Sequence, residues 1–452
     1  MTEDQRKTAK KTYAAITLLA VLIITISTSP VISSLTNSVT IANFGQISPD
    51  IYAASGSAVA IQAAVNQVAA LGGGDVHIPA GTFNFVNVGE PWKTVVIPTG
   101  VNIVGAPNLR DSKGQNMGWS TVLVMPYEAP SGSIFFKYMM DVSRTDNKFR
   151  FTDIKVIGWR YFNQSSTTLY YGVYVENPVY YDNAVFGLKD FRIDHNWFQD
   201  CTESAIYMLG GHSGHTSTQS ISGVIDHNIL SNTYGYVGAY IADNTVRYGI
   251  GLGMTQTADA SHPFIWEPNV ADVFGHYTNM TVFIEDNYFS KWRHSVASNE
   301  GIHYVARHNT INQSYGYGEF DGHGSYATSI APYQVGTRAM EVYSNIFINP
   351  DETWWETPIA VLQRGGAALI YNNVLNGYDN YNYIRNDVIT YQPKCRTQQT
   401  YMWDNTLNGA VLNNQDPANI HLNVEYFLRA PNQAQDGFTY TPYQYPHPLT
   451  LG

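Results

Sequence analysis

The side chains best suited to chemistry gather in the stretch 291–309 and shortly after it. Arg293, His294, His303, Arg307 and His308 lie inside that stretch. Asp321 and His323 follow in a Gly-rich segment, then Arg338 and Glu341, then Arg364 ahead of two glycines. Charged residues make up only 13% of the chain, so this concentration stands out. Elimination across a uronic acid needs a cation to neutralise the carboxylate, a base for the adjacent proton and an acid for the leaving oxygen. Arg293, Arg338 or Arg364 could supply the cation. His294 or His323 could be base or acid, because imidazole titrates nearest neutrality. Asp321 and Glu341 could orient a histidine or pair an arginine. The competing reading makes these seven residues buried ion pairs that fasten long loops to the fold.

A repeat must position them. From residue 190 onward the chain returns to one pattern: apolar, two residues, Asn, one residue, apolar. Its copies centre on Asn196, Asn228, Asn244, Asn287, Asn309, Asn345, Asn373 and Asn405. Both flanking positions are apolar in every copy, and the mean spacing is about 30 residues. The gap before Asn244 is about half the mean, which puts that copy in question. Such a repeat fits a parallel β-helix, in which each short strand pairs with its counterpart one rung along at ~4.8 Å. The Asn is expected at a turn, where it tolerates unusual backbone angles. Stacked Asn amides are expected to hydrogen-bond from rung to rung.

Stacking turns offsets into columns. The residue two before each Asn is expected to point outward, one step from an inward apolar residue. That column reads Asp194, Asp226, Ala242, Glu285, Arg307, Tyr343, Tyr371, Trp403. Sugar rings stack on aromatic faces, so Arg307, Tyr343, Tyr371 and Trp403 are candidates for substrate binding. Asp194, Asp226 and Glu285 are candidates for a calcium site, since calcium takes oxygen ligands. The alternative is a plain ladder of like residues packed under loops.

Residues 57–71 carry a helical pattern, with Val59, Ile61, Ala64, Val65, Val68 and Leu71 on one face. Three glycines stop it, and the helix is expected to cap the open first rung. Segment 1–34 starts basic and turns apolar over 13–26, as a secretory signal or an N-terminal membrane anchor does. It predicts an extracellular or cell-surface protein that meets a membrane only through that segment. Residues 35–55 read as a linker, and 56–452 as one domain ending in a Pro- and Tyr-rich tail expected over the far end or a flank. A net charge of −11 offers no basic face for nucleic acid. Cys201 and Cys395 fall several rungs apart, beyond the ~7 Å that a disulfide allows between Cα atoms. Both are expected unpaired. His212 and His215 sit in a polar loop, and Asn163, Asn279 and Asn312 head glycosylation triplets. No oligomeric state is selected.

The helix followed by the segment 72–85 resembles the entry to the pectin-lyase-like, right-handed parallel β-helix superfamily. The resemblance covers most of 55–452. It implies an all-β fold, a single-stranded right-handed parallel β-helix with an N-terminal α-helical cap. It implies less about activity, because that superfamily includes lyases, hydrolases, epimerases, phage tailspikes and non-catalytic surface proteins. Asp194 and Asp226 resemble the Asp of a WIDH element that helps hold calcium in one pectate lyase family. The Trp is missing here, as is that family's RxPxxR element. Gly322, His323 and Gly324 match a polygalacturonase tripeptide, but the carboxylate pairs of that family do not occur. Two functional readings follow: an exported, lyase-like enzyme acting on a polysaccharide, or a non-catalytic protein that binds a surface glycan or builds a cell-surface layer.

Overall fold

The computed structural model describes residues 49–86, 94–112, 114, 116–125, 133–140, 147–158, 170–176, 187–201, 203–209, 220–233, 248–253, 273–276, 281–299, 301–312, 317–324, 336–349, 358–387 and 396–451. The expected signal or anchor at 1–34, most of the linker, the repeat copy at 241–246, Asn163, His212, His215, Asn279 and Cys395 lie outside the described residues.

Three parallel sheets make up the fold, here named A, B and C, with twelve, nine and ten strands. The chain visits them in turn. Thr281–Glu285 is in A, Tyr288–Ser290 in B and His294–Ser298 in C, and His303–Arg307 returns to A. Each strand pairs in parallel with its counterpart from the next circuit, which defines a parallel β-helix. Alternation decides which side chains face in. In sheet A, Ile225, Ile284, Ala306, Val342, Ile370 and Met402 stand in register and are all buried. A buried aliphatic side chain of this size contributes roughly 1.5–3 kcal/mol. Adjacent rungs therefore supply the core that no single rung could close.

The Asn repeat forms one ladder at the corner between sheets A and B. From Asn196 through Asn228, Asn287, Asn309, Asn345 and Asn373, each backbone N–H and Nδ2 donates to the Oδ1 of the next Asn at 2.9–3.1 Å, ending on Asn405. Asn228 bonds directly to Asn287, so the ladder has no step between them for the copy around Asn244. The left-handed backbone falls one residue earlier than expected. His195, His227, Asp286, His308, Ser344, Asn372 and Asp404 have φ between +50° and +57°. The preceding residue bends the chain, and the Asn satisfies buried backbone groups that the bend would orphan.

The helix Ala58–Ala70 starts at Ser57, whose Oγ accepts from the Ala60 N–H at 3.3 Å. Ala58, Ile61, Ala64, Val65 and Val68 join the main core, whereas Val59 and Leu71, which belong to the same periodic pattern, are exposed. The helical face is narrower than the pattern suggested. The coil also begins earlier than residue 56, because Asp50–Tyr52 already pairs in sheet A with Gly74–His77. Cys201 is free and buried, and burial pushes its thiol pKa up, as expected of a small core residue.

The tail lies along the outer face of sheet A. Tyr440, Tyr443 and Leu449 pack against Phe283, Val305, Tyr343 and Tyr371 in a second apolar cluster. Polar contacts fasten it. Arg307 donates to the carbonyls of Tyr443 and Gln444 at 3.0 and 2.8 Å, and Arg192 to that of Leu449 at 3.0 Å. The His447 N–H donates to Glu285 at 2.8 Å, and the Tyr440 hydroxyl to Glu341 at 2.7 Å.

Candidate functional site

Sheet C carries the candidate site on its outer face. Asp321, from the strand Tyr317–Gly322, is its centre and is fully buried. Arg364, just past the strand Ile359–Gln363 on the next rung, grips both carboxylate oxygens at 3.1 and 2.6 Å. His323 Nε2 lies 2.6 Å from Asp321 Oδ2 and His294 Nε2 lies 3.8 Å from it. Arg364 also meets Asp387 at 3.1 Å, and Asp387 meets Arg385 at 3.2 Å. Burial opposes ionisation of Asp321, yet the Arg364 guanidinium, followed by His323 and His294, holds its carboxyl well below the usual range. Burial likewise works against the charge on Arg364, but Asp321 and then Asp387 raise its pKa further.

The two histidines differ. His294 is buried, with Nδ1 2.6 Å from the Gly318 carbonyl. Burial lowers its pKa to about 3, against the pull of Asp321 and with help from Arg293. It is a neutral structural imidazole at physiological pH. The His323 side chain is 25% exposed. Its Nε2–H donates to Asp321, an assignment made from the hydrogen bond, which leaves Nδ1 as the lone-pair nitrogen. Arg293 is half-buried beside His294 and forms no ion pair among the described residues.

The buried, neutral His294 sets a pH dependence of stability. The unfolded chain takes up a proton near pH 6.5, whereas the folded imidazole resists it down to about 3. The contribution is complete above 6.5 and is lost as pH falls toward the folded value. It should cost about 2 kcal/mol of stability by pH 5. Urea melts at pH 7 and pH 5 check this, and His294→Gln should lose less on acidification than the parent.

An aromatic strip leads to this cluster along the same face. Lys137, Tyr174, Tyr207, Gly251, Ala297 and Asp321 occupy one register column over successive rungs. The Tyr174 and Tyr207 rings stack at 5.5 Å, and Lys137 Nζ lies 5.7 Å from the Tyr174 ring centroid. A β-carbon on Gly251 would come within 2.5 Å of the Tyr207 ring, so glycine makes room for it. Tyr248 stacks on His294 at 5.8 Å. The three tyrosines are half-buried, so their rings line the surface without being hidden. None was expected as a site residue. No Asn recurs at one offset through the strands of sheet C to mark their register, and inserts of varying length precede them, so this column is hidden in the sequence.

The other expected site residues fall elsewhere. Glu341 belongs to sheet A, where its carboxylate meets His303 Nε2 at 3.1 Å and the Tyr440 hydroxyl under the tail. It is not part of the Asp321 cluster. Arg338 sits in the turn entering sheet A, its N–H bonded to the Ile302 carbonyl at 2.9 Å.

The outward column of sheet A is real, but the tail covers it. Tyr343 and Tyr371 stack at 4.7 Å, and Tyr371 and Trp403 at 4.3 Å. Arg307 is fully buried and Tyr343 nearly so. A sugar cannot reach Arg307, Tyr343 or Tyr371 while the tail is in place, because the tail occupies the faces it would need. Trp403 remains half-buried at the end of the stack.

The expected calcium cluster is likewise replaced by ion pairs. Asp194 takes Arg150 at 2.8 and 2.7 Å, Asp226 takes Arg192 at 3.0 and 2.9 Å, and Glu285 takes Arg307 at 2.8 Å. All three carboxylates are fully buried and already neutralised by a guanidinium, which repels a cation.

The chain matches no protein-family model and no curated protein. Among solved structures it is similar to the catalytic unit of a thermostable GH87 alpha-1,3-glucanase from Streptomyces thermodiastaticus, at 12% identity over 89% of this chain and 69% of that chain, with a TM-score of 0.39. It is also similar to DFA-IIIase from Arthrobacter chlorophenolicus without its lid, at 12% identity over 83% and 97%, TM-score 0.36. A third is the A-module of the mannuronan C-5 epimerase AlgE6 of Azotobacter vinelandii, at 12% identity over 87% and 97%, TM-score 0.34. These likenesses concern the path of the chain, and no residue's role is carried across from them.

Proposed function

We propose that the outer face of sheet C binds an extended polysaccharide and cleaves an acidic one by elimination. The observation that carries this reading is the partly exposed His323 held on the buried Asp321 at the end of the tyrosine strip. Tyr174 and Tyr207 offer ring faces for sugars, and Arg293, which forms no ion pair among the described residues, offers a cation for a uronate carboxylate. His323 Nδ1 takes the proton beside that carboxylate. The electron pair left on carbon forms a carbon–carbon double bond as the bond to the leaving oxygen breaks. The proton on His323 Nδ1 then passes to that oxygen, so the histidine ends as it began. Asp321 stabilises the imidazolium formed between the two transfers, and Arg364 positions Asp321. Export through segment 1–34 and closure of the first rung by the helix Ala58–Ala70 belong to the same reading.

A second reading has a specific observation in its favour. Asp321, Arg364, Asp387 and Arg385 form a chain of ion pairs, with Arg364 bridging Asp321 and Asp387, as a structural clamp would. In that case the face binds glycan without cleaving it.

A screen of polyuronides and neutral polysaccharides separates the two. Elimination creates an unsaturated sugar with new ultraviolet absorbance. Arg293→Ala should raise KM for an acidic substrate about tenfold or more, as expected for loss of a charge-assisted hydrogen bond. Binding without any absorbance change across the screen would leave the second reading standing.

A further inference from the structure

A groove of about 970 Å³ lies at the corner between sheets A and B, and none of the residues lining it belongs to sheet C. His195 and His227 form its floor. They precede consecutive Asn residues of the ladder, and their rings stack at 4.9 Å and 13°. Each Nδ1 is tied to the preceding carboxylate, His195 to Asp194 at 2.8 Å and His227 to Asp226 at 2.9 Å. Among the described residues neither Nε2 has a protein partner. The ladder thus sets two identical Asp–His dyads one rung apart, both lining one groove.

The surroundings favour an anion. Arg110, Arg150 and Arg192 line the groove, with His308 further along; their charges are balanced by Asp153, Asp194 and Asp226, and Asp286 is the carboxylate among the lining residues, so the pull on an anion comes from the guanidinium N–H groups that these pairs leave over. Among the described residues Arg110 pairs with Asp153 through Nη2 alone, which leaves Nε and Nη1, and Arg150 uses Nε and Nη2 on Asp194, which leaves Nη1. The side chains of both are more than a third exposed. A bare oxyanion would leave most of such a volume to water. Tyr288 and Tyr445 add ring surface, and Asn116 Oδ1 is a buried acceptor with no partner among the described residues.

We propose that this groove is a second glycan site, taking a sugar that bears an oxyanion, either a carboxylate or a sulfate ester. The oxyanion is received by the spare N–H groups of Arg110 and Arg150 and by Nε2 of His195 and His227, each of which takes up a solvent proton as the anion binds, because its Nδ1–H already donates to an aspartate. The site shares no residue with the face of sheet C, so each can fail without the other.

The test uses the full chain, labelled with carbon-13 at the histidine Cε1 positions. It is titrated at pH 6 with tetragalacturonate, its full methyl ester, a sulfated galactan tetrasaccharide and sodium sulfate. The His195 and His227 signals should move with tetragalacturonate or with the sulfated tetrasaccharide, and not with the methyl ester. Which acidic probe moves them assigns the carboxylate or the sulfate. The pair of changes His195→Asn and His227→Asn, which suits a φ of +55°, should weaken that binding tenfold or more by calorimetry. The wild-type titration stands by itself if the variant folds poorly. No movement with either acidic oligosaccharide overturns the proposal. So does an equal response to the methyl ester, binding retained in a folded double variant, or a response to sodium sulfate as strong as to the sulfated tetrasaccharide.

Discussion

Arg307→Ala should destabilise the protein by about 3–5 kcal/mol, the range for breaking a buried ion pair from one side. The Arg307 guanidinium is fully buried and reaches Glu285 at 2.8 Å, the Tyr343 hydroxyl at 3.1 Å and two tail carbonyls at 3.0 and 2.8 Å. Phe283 and Tyr445 lie against it at 5.2 and 5.3 Å. Burial already pushes the Glu285 carboxyl above its usual range, with Arg307 opposing. Without Arg307 that carboxylate is left with the His447 N–H, and the tail loses two donors. Urea melts measure the loss, and limited proteolysis should then cut the chain within 440–450. A double change, Arg307→Met with Glu285→Met, should recover a large part of the stability, because no buried charge is left unpaired. A loss under 1 kcal/mol in the single variant would mean that the tail is not held by this pair.

His323→Gln should lower kcat on a cleaved polyuronide by roughly 10²–10⁴, the usual range for a general acid–base group. KM should change little, because binding is assigned to the tyrosine strip and Arg293. Stability should stay within about 1 kcal/mol, since the side chain is partly exposed and glutamine can still donate to Asp321. A clamp predicts the reverse, with stability falling and any activity retained. The contrast with Asp321→Asn sharpens the outcome. That change removes a fully buried charge gripped by Arg364, so it should lower both activity and stability.

Much of the architecture is legible before any coordinates. The Asn repeat identifies the corner between sheets A and B, and its apolar flanks identify inward columns. This works because a ladder of amides demands Asn at each step and a closed core demands apolar neighbours, so local chemistry and global stacking make the same request. The outward column of Arg307, Tyr343, Tyr371 and Trp403 follows from the same alternation.

What lies over each column is not written in the repeat. The tail meets Glu341 and Arg307 of sheet A across 99 and 136 residues of sequence, so only folding reveals that the aromatic column is covered. The same distance hides the fate of Asp194, Asp226 and Glu285. Their arginine partners come from neighbouring rungs, and a carboxylate beside a future guanidinium looks in sequence like one awaiting a metal. Glu341 and Asp321 are close in the chain yet belong to different sheets, because a strand corner separates them. Residue types and period dictated the coil, since each rung must satisfy its own backbone and bury its own apolar side. Tertiary structure alone decided that the outward column of sheet A is covered, since that depends on a tail whose landing place no local pattern encodes.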